Sequence, residues 1–161
     1  MENLQFLKTI DTTHGKLEVF RDWDCEGALY MKGAKTIKRY QHLTDEQPDS
    51  DKYGIFWAFS TKQYEEGKAK MKELGFYKDG QTIYDFGMGG FGTSKELIDQ
   101  FFNFYKERDK RIAKECDPQE VYIYEYNNYE CMLDWDGDEK AYDKVVSIFG
   151  KEVVKGITRF N

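Results

Sequence analysis

A run of glycines at residues 87–92 constrains the fold of this chain more than any other stretch of its sequence. Four of these six residues are glycine, and the longest helical pattern in the chain follows them directly. Glycine lacks the Cβ atom that keeps other residues out of positive φ, so this backbone can turn tightly or come close to a neighbouring group. The run therefore predicts a loop that is either tightly packed or open to a ligand.

The start of the helix after this run is suited to an anion. Thr93 and Glu96 have the spacing of a capping box, which predicts a helix that begins at Thr93. The N–H groups of a first helical turn carry a partial positive charge and attract anions. The candidate ligand-binding residues here are Gly87, Gly89, Gly90, Gly92, Thr93, Ser94 and Lys95.

The glycine run matches two phosphate-binding motifs only in part. Residues 87–92 satisfy G-x-G-x-x-G, but the preceding strand-like residues 81–86 are mixed in polarity, unlike the aliphatic strand of a dinucleotide-binding unit. A P-loop requires lysine where Thr93 stands, and Lys95 comes two positions late. Three interpretations remain: a structural turn whose glycines allow tight packing, which this context favours, a nucleotide or phosphate site, and a lid or partner-binding loop.

Hydrophobic periodicity predicts a mixture of strands and helices. Strands are predicted at 5–12, 16–22, 28–31, 53–59, 81–86, 120–126, 129–135 and 152–160, with a strand or an irregular arm at 36–41. Helices are predicted from the Ser60 cap to Gly75, from Thr93 to before Pro118, and from Asp136 or Asp138 to Gly150. Residues 53–59 should be an interior strand, with Ile98, Phe101 and Tyr105 packing over the sheet. The predicted fold is a single α+β domain in which an antiparallel-rich sheet carries about three helices.

Charge and cysteine content exclude several classes of protein. The net charge is −6, and 24 basic residues are dispersed among 30 acidic ones. The sequence therefore contains no basic stripe of the kind that would indicate direct nucleic-acid binding. The three cysteines are odd in number and lack a C-x-x-C pair, which favours reduced thiols over disulfides or a cysteine zinc site. No leader peptide or membrane-length apolar run is evident, so we expect a soluble, cytoplasmic protein. Aromatic residues make up 17% of the chain, which predicts that some lie on the surface.

An acidic stretch at residues 134–139 resembles a calcium loop but lacks its spacing. Its glycine is the fourth residue, whereas an EF-hand needs glycine at the sixth position. We expect Asp136 and Glu139 to cap a helix instead, and no metal or other cofactor is predicted. The only imidazoles, His14 and His42, lie far in sequence from the cysteines, so no catalytic residue is assigned.

A second polar group lies just before this stretch. Asn127, Asn128, Glu130 and Cys131 alternate with tyrosines and could recognise a small molecule, or could form a hairpin turn. Asn127 and Asn128 are therefore added to the candidate ligand-binding residues. Nothing nearby in sequence would activate the Cys131 thiol.

Three segments carry a resemblance to a known family. They are residues 54–67, the glycine run through Thr93, and residues 127–139. Over roughly residues 53 to 150, the chain resembles a family of small, uncharacterised proteins of gut bacteria and their phages. The resemblance assigns no catalytic residue. It implies a phage or mobile-element setting, in which small proteins often bind host factors or sequester signalling nucleotides.

These observations together favour a non-enzymatic binding protein. Its ligand would be a host partner protein or a phosphate-bearing small molecule, with no direct contact to nucleic acid or membrane. The alternative is an enzyme acting on a nucleotide or another phosphorylated substrate, with the glycine run as phosphate cradle. The titratable residues that the sequence places beside that cradle are Asp85, Lys95 and Glu96.

Overall fold

The computed structural model describes residues 3–130 and 137–160, whose contacts form two compact units. Unit 1 comprises Met1–Glu46 and Arg108–Asn161, and unit 2 is the continuous segment Gln47–Glu107. Both units contain an antiparallel sheet and helices, so the predicted α+β class is confirmed. The single domain remains a prediction. No helix within the described residues is both long and apolar enough to cross a membrane.

The described residues contain six strands and six α-helices, so the prediction of about three helices is wrong. The strands are β1 (Leu4–Thr12), β2 (Gly15–Asp22), β3 (Ala28–Lys32), β4 (Ile55–Trp57), β5 (Tyr84–Gly87) and β6 (Gly90–Gly92). The helices are α1 (Ile37–Asp45), α2 (Thr61–Glu73), α3 (Lys95–Glu115), α4 (Pro118–Glu130), α5 (Gly137–Phe149) and α6 (Lys151–Val154).

Unit 1 is built on the three-stranded antiparallel sheet β1-β2-β3. The three predicted strands at 5–12, 16–22 and 28–31 are confirmed. Alternate residues such as Leu17, Val19 and Leu29 are buried with the apolar residues of α4 and α5. The helix predicted to end at Gly150 is α5, and its Ala141 and Val145 are fully buried in this core, as its periodicity predicts.

Residues 120–126 belong to helix α4, so the predicted strand there is wrong. Val121, Tyr122 and Ile123 are each 0% exposed, because neighbouring elements surround this helix on every side. A helix that is buried on all sides has no apolar stripe of helical period. The alternation of aliphatic and tyrosine residues at 121–124 therefore matched the pattern expected of a strand. The predicted turn at 127–128 is also wrong, since α4 continues to Glu130. Most of the predicted strand 129–135, with Cys131 and the Asp136 cap, lies outside the described residues.

Helix α1 occupies the segment for which a strand or an irregular arm was predicted. Its start is capped from a distance, because Glu120 Oε1 accepts hydrogen bonds from Lys35 N at 3.0 Å and Thr36 N at 2.8 Å. Glu120 itself is 1% exposed. A cap supplied 84 residues away leaves no mark on the local sequence pattern.

The predicted strand at 152–160 is wrong as well. Helix α6 occupies its first part, and the rest has no regular structure up to Phe160. The Gln119 side chain holds the Thr158 backbone there, accepting from Thr158 N at 2.6 Å and donating to its carbonyl at 2.9 Å. A side-chain amide thus replaces the neighbouring strand that the prediction assumed.

Unit 2 consists of the antiparallel sheet β4-β6-β5 between two helices. Phe56 packs with Met71 of α2 on one face, whereas Ile55 packs with Ile98 and Phe101 of α3 on the other. The predicted packing of α3 over the sheet is confirmed. The strand predicted at 53–59 is shorter, Ile55–Trp57, and lies at the edge of the sheet rather than in its interior.

Candidate functional site

The glycine run forms a β-hairpin instead of a turn from a strand into a helix. Met88 and Gly89 connect β5 to β6, with φ angles of +54° and +80°. Two central residues with positive φ give a tight turn whose twist matches an antiparallel pair. The Asp85 carboxylate accepts a hydrogen bond from Gly87 N at 2.8 Å. Because a negative charge already lies at this loop, the geometry does not favour a phosphate group there.

Packing explains three of the glycines in this hairpin. A Cβ atom on Gly90 would lie 2.2 Å from the Phe86 ring, and one on Gly92 would lie 2.4 Å from the Ile98 side chain. A Cβ on Gly89 would lie 2.4 Å from the Phe59 ring. Non-bonded carbon atoms need about 3.5 Å or more, so large side chains lie directly on this backbone only because it is glycine. These contacts agree with the interpretation of the run as a tightly packed turn.

The polar residues after the hairpin make structural contacts. Thr93 Oγ1 donates to the Gly54 carbonyl at 3.2 Å, and Ser94 Oγ accepts from Leu97 N at 3.3 Å. Ser94 therefore caps α3, which begins at Lys95. The predicted capping box of Thr93 and Glu96 is wrong by one residue. Lys95 Nζ lies 5.3 Å from the centre of the Tyr84 ring, a cation–π distance.

Asn127 and Asn128 lie on α4 in unit 1, whereas the other candidate residues lie in unit 2. The Asn127 amide accepts from Leu29 N at 2.9 Å and donates to the Leu29 carbonyl at 2.7 Å, so it closes the outer edge of β3. Asn128 donates to Glu125 Oε2 at 3.2 Å. Asn127 thus acts on the sheet as a neighbouring strand would.

Two titratable residues between α3 and α4, Cys116 and Asp117, also have structural roles. Asp117 Oδ1 accepts from Gln119 N at 2.9 Å and caps α4, while its Oδ2 accepts from Thr13 Oγ1 at 3.3 Å. Burial raises the pKa of the free thiol of Cys116 to about 11, so it stays protonated and is a poor nucleophile. Across residues 3–130 and 137–160, no group of three His, Cys, Asp or Glu side chains is placed to hold a metal ion.

The free edge of β4 is the candidate functional site. Within the described part of the chain, β4 pairs with β6 on one side and with no strand on the other. Thr93 N donates to the Gly54 carbonyl at 3.1 Å and Ala58 N donates to the Gly89 carbonyl at 2.9 Å, which fixes the residues that face β6. Successive residues of a strand direct their backbone groups to opposite edges, so Ile55 and Trp57 direct theirs away from β6. Ile55 is 0% exposed, so Trp57 is the residue whose outward backbone groups a partner can reach.

A groove of about 690 Å³, here called the edge groove, follows this free edge. Its lining residues come from the segment before β4, from β4 and from one face of α2. They are Pro48, Asp49, Ser50, Asp51, Ile55, Phe56, Trp57, Phe59, Gln63, Glu66, Gly67 and Lys70. A Cβ on Gly67 would lie 2.2 Å from the Phe56 ring. The glycine therefore sets how closely α2 approaches the strand and shapes the floor of the groove.

Exposed aromatic side chains mark one end of the edge groove. Trp57 is 44% exposed and Phe59 is 78% exposed, although their neighbours Phe56 and Ala58 are buried. Phe59 also lines a second hollow, about 500 Å³ in volume, here called the Phe59 hollow. This hollow is lined by Ala58, Phe59, Ser60, Thr61, Tyr64, Gly89 and Phe91. Exposed aromatic groups beside an open strand are typical of a binding surface.

Acidic groups predominate in the edge groove. Its lining includes the carboxylates of Asp49, Asp51 and Glu66 and the single ammonium group of Lys70. Lys70 Nζ lies 3.0 Å from Asp51 Oδ2, an ion pair that joins α2 to the segment before β4. Asp49 Oδ1 accepts from Asp51 N at 3.1 Å. Within the described part of the chain, no cation pairs with the Glu66 carboxylate, which faces the groove from α2.

Sequence reasoning missed this groove because residues 53–59 form the most apolar run of the chain and were assigned to the core. One signal was present. Ser60 caps α2 by accepting from Gln63 N at 3.2 Å, as predicted, and Gln63 Oε1 accepts from Phe59 N at 2.7 Å. An apolar residue directly before a helix cap commonly packs on the fourth helical residue, here Tyr64. By this rule, β4 should end before Phe59, and the Phe59 ring should lie at the surface beside the start of α2.

The fold and the groove define a small α+β protein with an open, aromatic strand edge. Residues 39–151 match the model of a Family of unknown function (DUF7659), and the chain belongs to this family. The predicted membership of an uncharacterised family is thereby confirmed, and the matched region contains all of unit 2 with its edge groove. No curated protein and no solved structure matches the chain.

Proposed function

We propose that this chain is a non-enzymatic binding protein that captures an extended segment of a partner protein along β4. The observation that carries the proposal is the free edge of β4, where Trp57 directs its backbone groups outward beside the exposed rings of Trp57 and Phe59. In this mode of recognition, main-chain hydrogen bonds supply affinity and neighbouring hollows select side chains. Here the β4 edge provides the main-chain groups, and the edge groove and the Phe59 hollow provide the sites for side chains.

The regular register of β4 supports this proposal. Proteins usually guard strand edges with charged side chains, proline, bulges or a covering element. β5, at the opposite edge of the same sheet, has a bulge between Asp85 and Gly87. β4 has a regular register with β6 across its three residues. The backbone groups of Ile55 and Trp57 point away from β6, and of these two residues Trp57 is exposed. An edge without a bulge favours pairing with another strand.

The phosphate-binding alternative has less support from the geometry. Gly87 N is already bonded to the Asp85 carboxylate, and the helix start is capped by Ser94. The enzyme alternative depended on Asp85, Lys95 and Glu96 acting beside a phosphate cradle. Instead, Asp85 stabilises the hairpin, and Lys95 contacts the Tyr84 ring.

The proposal includes a biological setting. The sequence resemblance implies a gut bacterium or its phage, in whose cytoplasm a small protein would capture a host protein. Binding through backbone groups tolerates variation in the partner's side chains, because only the positions next to the hollows are selected. Such tolerance suits a protein that must recognise a host target whose sequence drifts.

Selection from a phage-displayed library of short random peptides on the immobilised full chain tests the proposal. Enriched peptides are then synthesised and methylated at single backbone nitrogens. Methylation at alternate positions, where the N–H points to β4, should abolish binding, while methylation at the intervening positions should leave it intact. Binding that is lost at every position, or at none, would show that the peptide does not pair with β4.

Side-chain variants provide a second, independent test. Phe59→Ser should weaken binding of the enriched peptides about tenfold, because the exposed aromatic ring is the main apolar contact beside the edge. Leu74→Ser is the control, since Leu74 is another exposed apolar residue of unit 2, at 48%, that does not line the groove. Equal losses in the two variants would contradict the proposed site.

A further inference from the structure

We infer that the segment captured at β4 carries a basic residue directly beside an apolar residue in its sequence. This inference rests on the proposed function and names the chemistry of the partner at the edge groove. It follows from two observations: the charge of the groove and the alternation of side chains along a paired strand.

The charge of the edge groove selects a cation. Three carboxylates and one ammonium group line it, and the ammonium group of Lys70 is already paired with Asp51 at 3.0 Å. Asp49 and Glu66 remain as carboxylates that no cation of the described residues neutralises, and Asp49 Oδ1 already accepts from Asp51 N, so Glu66 is the one taken to meet the partner. A lysine or arginine in the partner segment would pair with it, whereas an acidic residue would be repelled.

Strand alternation places the apolar residue next to this cation. Phe56 faces α2, whereas Ile55 faces α3, so the two faces of the sheet are distinct at the β4 edge. A strand added there would point successive side chains to opposite faces. The residue on the α2 face meets Glu66. Its neighbour, on the other face, meets the indole of Trp57, which is 44% exposed and contacts Phe86 with ring centres 5.5 Å apart.

A second copy of this chain fits the groove less well. Pairing two β4 edges would bring together two grooves of the same acidic character. Each would carry an unneutralised Glu66 carboxylate, and like charges brought together across an interface lower affinity. The occupant is therefore a partner segment of basic and apolar character.

The same displayed library tests this inference. Enriched peptides should contain lysine or arginine adjacent to an aliphatic or aromatic residue. Replacing that basic residue by glutamate in the synthetic peptide should weaken binding, measured by fluorescence anisotropy on the full chain, about tenfold. Glu66→Gln should weaken binding of the parent peptide about threefold, and Glu66→Lys should reverse the preference between the two peptides. Glu73→Lys makes the same charge change on α2 outside the groove and should preserve the preference.

The outcomes separate the inference from the proposed function. If enriched peptides show the alternating response to backbone methylation but lack basic residues, or ignore Glu66→Lys, the inference is overturned while the proposed function stands. If no peptide is enriched, or methylation has no alternating effect, both are overturned. Concentration-dependent dimerisation in sedimentation, abolished by Phe59→Ser, would replace the partner segment with a second copy of the chain.

Discussion

The strand edges at β3 and β4 are treated in opposite ways by the helices beside them. On β3, the Asn127 amide of α4 accepts from the Leu29 N–H at 2.9 Å and donates to the Leu29 carbonyl at 2.7 Å. On β4, the adjacent helix α2 contributes Gly67, which lies against the Phe56 ring and has no side-chain group that could bond the outward backbone of Trp57. The comparison shows that a single helical amide is enough to satisfy both outward backbone groups of one edge residue in this protein.

The largest expected effect comes from filling the contact between α2 and β4. Gly67→Val should destabilise the protein by about 3 kcal/mol, because its Cβ would lie 2.2 Å from the Phe56 ring and α2 would have to move away. Urea unfolding followed by tryptophan fluorescence measures the change. Ala69→Val, at an exposed position of the same helix, is the control and should cost about 0.5 kcal/mol. Similar losses in both variants would mean that α2 does not press on Phe56.

Opening the closed edge should have the next largest effect. Asn127→Leu removes both hydrogen bonds to Leu29 and should cost about 2 kcal/mol, because Leu29 is 4% exposed and its backbone groups would lose their partners. Asn127→Asp retains an acceptor for Leu29 N but replaces the donor by a second oxygen facing a carbonyl. Thermal unfolding should show both variants to be destabilised. Wild-type stability in Asn127→Leu would contradict the assigned role of the amide.

A smaller, pH-dependent effect is expected at Asp138. Burial alone would raise the pKa of Asp138, but hydrogen bonds from Arg159 at 2.8 Å and from Tyr122 at 2.6 Å outweigh it and hold the pKa below 3.8. A lowered folded-state pKa stabilises the protein above the unfolded-state value, and this stabilisation is lost as the pH falls through the folded-state pKa.

Asp138→Asn should therefore cost about 1 kcal/mol at neutral pH. The difference from wild type should shrink as the pH falls below 3.8, the ordinary pKa of an aspartate. Urea midpoints across this pH range measure it. Asp143→Asn, on the exposed side of α5, is the control and should change neither value. A constant difference at all pH values would show that the charge of Asp138 is not the cause.

The smallest effect on stability is expected at the open edge itself. Phe59→Ser should change the free energy of unfolding by less than about 0.5 kcal/mol, because the ring is 78% exposed and its removal leaves no cavity. Urea unfolding measures this alongside the peptide-binding assay. A loss comparable to that of Asn127→Leu would mean that the Phe59 ring stabilises the fold instead of serving a partner.

Elements that are stabilised by residues nearby in sequence could be predicted, whereas elements that are stabilised by residues far away in sequence could not. The hairpin of β1 and β2 and the cap of α2 at Ser60 follow from neighbouring residues, and both were predicted. Helix α1 depends on the Glu120 carboxylate, and the end of the chain depends on the Gln119 amide, neither of which is near in sequence. The glycine run was recognised as a tight turn, but its neighbours Phe86 and Ile98 decide that it packs as a hairpin.

The candidate site was less predictable than the fold for a related reason. An apolar run such as residues 53–59 looks the same whether its last aromatic residues are buried or exposed. Only the pairing of β4 with β6 shows which edge is free, and only the start of α2 shows where the strand ends. The polar Asn127 among tyrosines suggested a ligand-binding residue. In the structure, its amide instead bonds the backbone of Leu29 in β3.

The bond between Asn127 and Leu29 joins residues 98 positions apart and ties the order of a strand to that of a helix. In a hydrogen–deuterium exchange experiment, the Leu29 amide proton would normally be among the fast ones, since it faces outward from the last strand of a sheet. Here the Leu29 N–H is bonded to a side chain of α4. We therefore expect the Leu29 amide proton to exchange at about the same rate as the amide protons of α4. The outer strand of unit 1 and its central helix thus form one cooperative unit of unfolding.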